Sequence, residues 1–143
     1  MFRKQFEEKA VDACIVVLMS HRKYNTITTT DEKDVNIWEQ VIDKFHHVNC
    51  GALTGIPKIF IVQACQNIFL DHTDGPEEEK DDGYKDILVC TSTCPGKVAY
   101  RDPKTGSKYI SKLLEVFEKN PSLEIIEMLK KVSSLTNLLC SYF

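Results

Sequence analysis

Lys58-Ile59-Phe60-Ile61-Val62-Gln63-Ala64-Cys65 is the stretch that decides the fold. It is a run of buried-type residues that ends on a thiol. A second such run, Cys14-Ile15-Val16-Val17-Leu18-Met19-Ser20, ends on His21. The unbroken apolar character of residues 13–20 suits a strand covered on both faces. Between the two runs, Asp34 reads as an N-cap, followed by Val35, Ile37, Trp38, Val41, Ile42 and Phe45 at helical spacing. Strand, helix and strand in this order predict a crossover and two parallel strands in one sheet. Each strand then hands off a reactive side chain at its C-terminal end. That places Cys65 and His21 on the rim where open α/β sheets bind ligands. A nucleophilic cysteine needs an imidazole to take its proton, so these two residues are the candidate catalytic pair.

Further along, the elements are shorter. Residues 24–30, Tyr-Asn-Thr-Ile-Thr-Thr-Thr, read as an exposed hairpin arm, and Gly51 with Thr54-Gly55-Ile56-Pro57 forms the turn into strand 58–64. Asp71 to Lys85 is acidic, carries Gly75, Pro76 and Gly83, and has too little apolar content to bury itself; it reads as an exposed mobile linker. A third strand spans Asp86 to Ser92, a Pro95-Gly96 turn follows, and residues 100–106 read as a loop. Ser107 caps a helix bearing Tyr109, Ile110, Leu113, Leu114, Val116 and Phe117. Asn120-Pro121 ends it, and Ser122 with Ile125 begins a last amphipathic helix that runs to about Leu135.

Composition narrows the function classes. The chain of 143 residues is one domain, 43% hydrophobic and 27% charged, within the range of ordinary globular proteins. A net charge of −3 gives no general attraction to nucleic acid or membrane. No apolar stretch reaches the roughly 20 residues that span a bilayer, and Met1 to Glu8 is charged with both signs, unlike a signal peptide. The expected location is cytoplasmic. Without a secretory signal the six cysteines (Cys14, Cys50, Cys65, Cys90, Cys94, Cys140) read as reduced and mostly buried. Cys90 and Cys94 have no second pair of comparable spacing, and His46-His47 is a lone doublet on a helix, so no metal site and no cofactor are expected.

Four ordered blocks resemble the caspases. They are Leu18-Met19-Ser20-His21, Leu53 to Cys65, Ser92-Thr93-Cys94-Pro95-Gly96, and Tyr100 to Ser107. The caspase signature is Gln-Ala-Cys, then Arg, Gln or Gly, then Gly, with the histidine about 50 residues upstream. Here Gln63-Ala64-Cys65-Gln66 matches, Asn67 replaces the glycine, and His21 stands 44 residues before Cys65. The resemblance implies a three-layer α/β/α sandwich around a mostly parallel sheet. It implies a large-subunit-like segment over 10–70, a linker over 71–85 and a small-subunit-like segment over 86–143. It also implies endopeptidase chemistry after a P1 aspartate, in apoptosis or related signalling. Cys65 would be the nucleophile and His21 the proton carrier, with the backbone N–H groups of Arg22 and Cys65 as oxyanion hole. Gln63 and Arg101 would hold the aspartate, and Val98, Ala99 and Tyr100 would pair with the extended peptide. Asp74 and Asp82, each with an acid three residues before it and a glycine after, would be the processing sites; a solvated acidic loop is the other reading of that segment. The implied partners are a protein substrate and a homodimer or heterodimer with another caspase.

The chain departs from the family pattern in three places. Arg22 stands where the family has a glycine after the histidine. Twelve residues precede Ala13, too few for the family's first strand, helix and pocket arginine. Only Leu138 to Phe143 is left for the last interface strand. The fold is therefore expected to be truncated at both ends, with an apolar face left open and a tendency to associate. These departures favour an alternative function, a weak or inactive caspase-like regulator (a decoy) that binds a full-length caspase. A flavodoxin-like ligand-binding domain is disfavoured, because no Gly-rich phosphate loop follows either strand.

Overall fold

The computed structural model describes residues 11–23, 26–64, 84–93, 99 and 101–136. In chain order the strands are β1 (Cys14–Met19), β2 (Arg22–Lys23), β3 (Thr26–Thr28), β4 (Asp34–Asn36), β5 (Lys58–Gln63), β6 (Ile87–Thr91), β7 (Arg101–Asp102) and β8 (Gly106–Ser107). Two regular helices follow, α1 (Lys108–Lys119) and α2 (Ile125–Thr136). Strands β1, β5 and β6 form a parallel sheet in the order β1-β5-β6, with Cys14 opposite Lys58 and Met19 opposite Gln63. The expected parallel pairing of the two apolar strands holds.

Alternation along the central strand divides the core in two. Phe60, Val62 and Ala64 join Cys14, Ile37, Ile42, Phe45, Cys50 and Leu53 on one side of the sheet. Ile59 and Ile61 join Cys90, Tyr109, Leu113, Val116, Leu129 and Val132 on the other, under α1 and α2. That is a three-layer α/β/α arrangement. Every residue of β5 is buried, Lys58 included; its Nζ donates to the Leu53 carbonyl oxygen at 3.0 Å, so the charge is not left unpartnered.

Four expectations need correction. Strand β1 is not covered on both faces: Ile15, Val17 and Met19 are 56, 50 and 52% exposed, because α1 and α2 lie over β5 and β6 rather than over β1. Asp34 is not a helix cap. It sits in β4, which pairs antiparallel with β3, and its carboxylate accepts the Thr28 hydroxyl at 3.1 Å. The cap is Asn36, whose Oδ1 accepts from Trp38 N (2.9 Å) and Glu39 N (3.2 Å), while Asn36 N donates to Gln40 Oε1 at 2.7 Å. With β4 holding 34–36 and β-branched residues at 37, 41 and 42, the crossover winds as a π turn (Ile37–Val41) and then a 3₁₀ turn (Ile42–Phe45), and His46-His47 falls in the turn beyond it. The segment read as a loop over 100–106 is, over its described residues, not a plain loop: β7 and β8 form a tight hairpin. Ser107 does cap α1, its Oγ accepting from Ile110 N at 3.3 Å; the last helix begins at Ile125.

The linker expectation over 71–83 and the ending 138–143 lie outside the described residues. Tyr84, however, is held. Its hydroxyl donates to Asp43 Oδ1 at 2.6 Å, and its ring meets Trp38 and His46 edge-on with centroids 6.1 and 5.5 Å apart. The next residues turn into β6, where the Asp86 carbonyl accepts from Lys58 N at 2.7 Å. Cys14, Cys50 and Cys90 are buried, as expected; burial pushes the Cys14 thiol up, and the neighbouring Cys50 adds to the rise.

Phe60 is fully buried and packs edge-to-face on Phe45 with centroids 5.1 Å apart. Phe60→Ala is expected to cost about 3–5 kcal/mol in denaturant unfolding. Asn36→Ala, which removes only the cap, is expected to cost about 1 kcal/mol. Equal losses in the two variants would contradict this picture of the core.

Candidate functional site

The C-terminal ends of β1 and β5 stop at one sheet edge because the strands are parallel and in register. Register continues past the last paired residues: Ser20 N donates to the Gln63 carbonyl at 3.3 Å, and Ser92 N to the Val62 carbonyl at 2.9 Å. At that edge lies a pocket of ≈ 270 Å³ lined by Met19, Ser20, His21, Gln63, Ala64, Ala99 and Arg101. Residues far apart in sequence thus meet there: an imidazole, a carboxamide and a guanidinium. A groove of ≈ 280 Å³ between α1 and α2, lined in part by Lys119, Lys131 and Leu135, has neither thiol nor imidazole among its lining residues.

Each side chain is positioned by local structure. His21 follows β1 directly and is exposed. Its carbonyl accepts from Thr28 N at 3.0 Å, and the Ser20 hydroxyl donates to the Thr28 carbonyl, so the β2–β3 hairpin clamps the strand exit from both sides. Arg22 pairs with Ile27. Since His21 and Thr28 are a hydrogen-bonded pair, alternation makes Arg22–Ile27 a non-hydrogen-bonded one and turns the Arg22 N–H away from β3. The pairing with β3 therefore leaves the Arg22 backbone donor unused.

Across the edge, Ala64 is held by the Thr93 hydroxyl, which donates to its carbonyl at 3.2 Å; Thr91 Oγ1 in turn donates to the Thr93 carbonyl at 3.1 Å. Gln63 is 6% exposed, and its Oε1 has no hydrogen-bond partner among the described residues. Arg101 is exposed and sits on β7 opposite Ser107, the cap of α1. The β7–β8 turn is tied by Asp102 Oδ1, which accepts from Lys104 N and Thr105 N, both at 2.8 Å. These backbone N–H groups hold the Asp102 carboxyl below its ordinary range.

Of the predicted site residues, the fold brings His21, Gln63, Ala99 and Arg101 to one pocket. Cys65, Val98 and Tyr100 lie outside the described residues, as do Asp74 and Asp82; Cys65 is the residue after Ala64 in the chain. Sequence reasoning missed the supporting polar residues Ser20, Ser92 and Thr93. The signal was the switch from apolar to hydroxyl side chains at Thr91-Ser92-Thr93, where a strand continuing into the core would have stayed apolar. Among the described residues no group of three or more His, Cys, Asp or Glu is placed to hold a metal ion, and no helix is long and apolar enough to cross a membrane.

The family model for the caspase domain matches residues 1–137. Similar proteins include Caspase-9 of Homo sapiens, 30% identical over 153 positions covering 80% of this chain and 36% of the relative. Caspase-14 of Homo sapiens is 34% identical over 137 positions, covering 88% of this chain and 56% of the relative. Caspase-3 of Bos taurus is 35% identical over 128 positions, covering 83% and 46%. The chain thus spans roughly a third to three fifths of the length of the relatives it matches.

The Asp102 turn sets a pH dependence for the arm that carries Arg101. A depressed folded value means that the two bonds are present above the ordinary carboxylate value of 3.8 and are lost as pH falls through the lower folded value. The Lys104 and Thr105 amide resonances are expected to titrate together with a midpoint below 3.8. A midpoint at or above that value would contradict the assignment.

Proposed function

The chain belongs to the caspase family, and from that premise we propose that it is a cysteine endopeptidase homologue cleaving peptide bonds after aspartate. The observation that carries the reading is the pocket at the β1/β5 edge, where His21, Gln63, Ala64 and Arg101 converge, Ala64 being the residue before Cys65 in the chain.

In this mechanism His21 takes the thiol proton of Cys65, and the thiolate attacks the carbonyl carbon of the scissile bond. The tetrahedral oxyanion is held by the backbone N–H groups of Arg22 and Cys65. His21 then gives its proton to the departing amine, and water hydrolyses the thioester to release the acid and regenerate the thiol. The Arg101 guanidinium meets the substrate carboxylate as an ion pair, and Gln63 adds a neutral donor beside it. The backbone of residues 98–100 pairs with the peptide as an added strand. The substrate is a peptide or protein with an accessible aspartate, and processing after Asp74 or Asp82 would be cleavage of the same kind.

A second reading, a regulator that pairs with a complete caspase, is favoured by the uncovered apolar stripe Ile15, Val17 and Met19 on β1. The two readings part in one experiment. The protein is treated with an aspartyl peptide bearing a cysteine-reactive group, and labelling is followed by mass. The peptidase reading expects labelling that Cys65→Ala abolishes and His21→Ala slows about 10²–10⁴-fold. Absent labelling, or labelling unchanged in Cys65→Ala, would sink it. Addition to an active caspase would then show a change in that enzyme's rate if the chain is a regulator. Processing is read separately: a species split after Asp74 or Asp82 is expected by intact mass, and it should vanish when both are replaced by alanine.

A further inference from the structure

Thr93 bonds to the backbone one residue before the proposed nucleophile. Past the ends of β5 and β6 the two segments stay joined, Ser92 N donating to the Val62 carbonyl at 2.9 Å. Carbonyls alternate sides along a strand, so the next one facing β6 is that of Ala64. A side chain meets it, with Thr93 Oγ1 3.2 Å from the Ala64 oxygen. A carbonyl can only accept, so the hydroxyl donates. Ala64 and Thr93 are 2% and 1% exposed, which keeps water from competing for the bond. The Thr93 carbonyl is itself held by Thr91 Oγ1 at 3.1 Å, so the donor is fixed in place.

The Ala64 carbonyl and the Cys65 N–H belong to one peptide unit. Such a unit is planar, and in its trans form the C=O and N–H point in opposite directions. Fixing the oxygen on one side therefore fixes the line along which the N–H projects on the other. Accepting a hydrogen bond also polarises the unit and strengthens its donor. The other donor of the proposed oxyanion hole is held in the same manner. The His21 carbonyl accepts from Thr28 N at 3.0 Å, at the far end of the peptide unit that carries the Arg22 N–H. A backbone donor serves at His21 and a side chain at Ala64, so only the second can be removed by substitution. We infer that Thr93 is a positioning residue of the oxyanion hole: its hydroxyl, acting through the Ala64 carbonyl, aims the Cys65 N–H at the substrate oxygen that becomes negative. The inference rests on the proposed peptidase reading and adds to it a residue that itself touches no substrate.

Two reactions of Cys65 in the intact chain separate this role from a structural one. Iodoacetamide alkylates the sulfur by displacing iodide from a saturated carbon, and no oxyanion forms. A peptide ending in aspartyl aldehyde adds reversibly: the S–C bond forms, the C=O electron pair moves onto oxygen, and the thiol proton passes to His21. Only the second reaction draws on the hole. The alkylation rate at Cys65 is read by peptide mass, the aldehyde Kd from the protection it gives against alkylation, and unfolding temperature alongside. Thr93→Val, which keeps the shape and loses the hydroxyl, is expected to weaken aldehyde binding about tenfold and leave the alkylation rate within about twofold. Thr93→Ser, which keeps the donor, should retain both. Thr93→Ala replaces Val in the comparison if the Val variant does not fold. Unchanged aldehyde affinity in a folded variant without the hydroxyl overturns the inference. An equal fall in both readouts, the mark of a residue that merely packs, does so too, as does a folded Ser variant that loses as much as Val. Wild-type protein that is alkylated at Cys65 but gains no protection from the aldehyde removes the peptidase reading itself; wild-type protection that persists unchanged in the Val and Ala variants removes only the role of Thr93.

Discussion

The in-register parallel pairing of β1 with β5 is the constraint on which the site depends. Met19 opposite Gln63 is a statement about backbone hydrogen bonds, yet it decides chemistry. A slip of one residue would carry Phe60, Val62 and Ala64 to the opposite face and exchange the two cores. It would also move His21 one step out of line with the end of β5. The apolar alternation that buries Phe60 therefore also places the imidazole, and packing and function are specified by the same register.

Polar residues at the strand ends show what that placement demands. Gln63, Thr91, Ser92 and Thr93 are all nearly inaccessible, although each could have been apolar at less desolvation cost. The Thr93 bond to the Ala64 carbonyl and the Thr91 bond to the Thr93 carbonyl join the ends of β5 and β6 by side chains as well as by backbone. The edge is stiffened where the chain leaves the sheet. A loosely held exit would let the residues beyond Ala64 wander by more than a reacting geometry tolerates.

Much of this was legible in the residues alone. The strands at 14–19 and 58–63, their parallel pairing and the Ser107 cap follow from apolar run length and hydroxyl placement. The convergence of His21, Gln63 and Arg101 could be anticipated only through the family resemblance, because β7 reaches the pocket by tertiary packing with no local signal. The misread parts have particular causes. Continuous apolar residues at 14–19 could not reveal that α1 and α2 cover only the other two strands. Asp34 and Asn36 are both good caps, and pairing of β4 with β3 decided between them. The short β7–β8 hairpin was hidden by its turn residues, which dominate a segment with two paired residues on each side.

Tyr84 carries a consequence for the life of the chain. Its hydroxyl on Asp43 and its ring between Trp38 and His46 fasten the beginning of the third strand to the crossover, independently of whatever joins residue 64 to residue 84. β6 adds a full ladder to β5, and α1 and α2 seal its inner face. Were the connection severed, the β5–β6 ladder and the Tyr84 contacts would still tie the two pieces to each other.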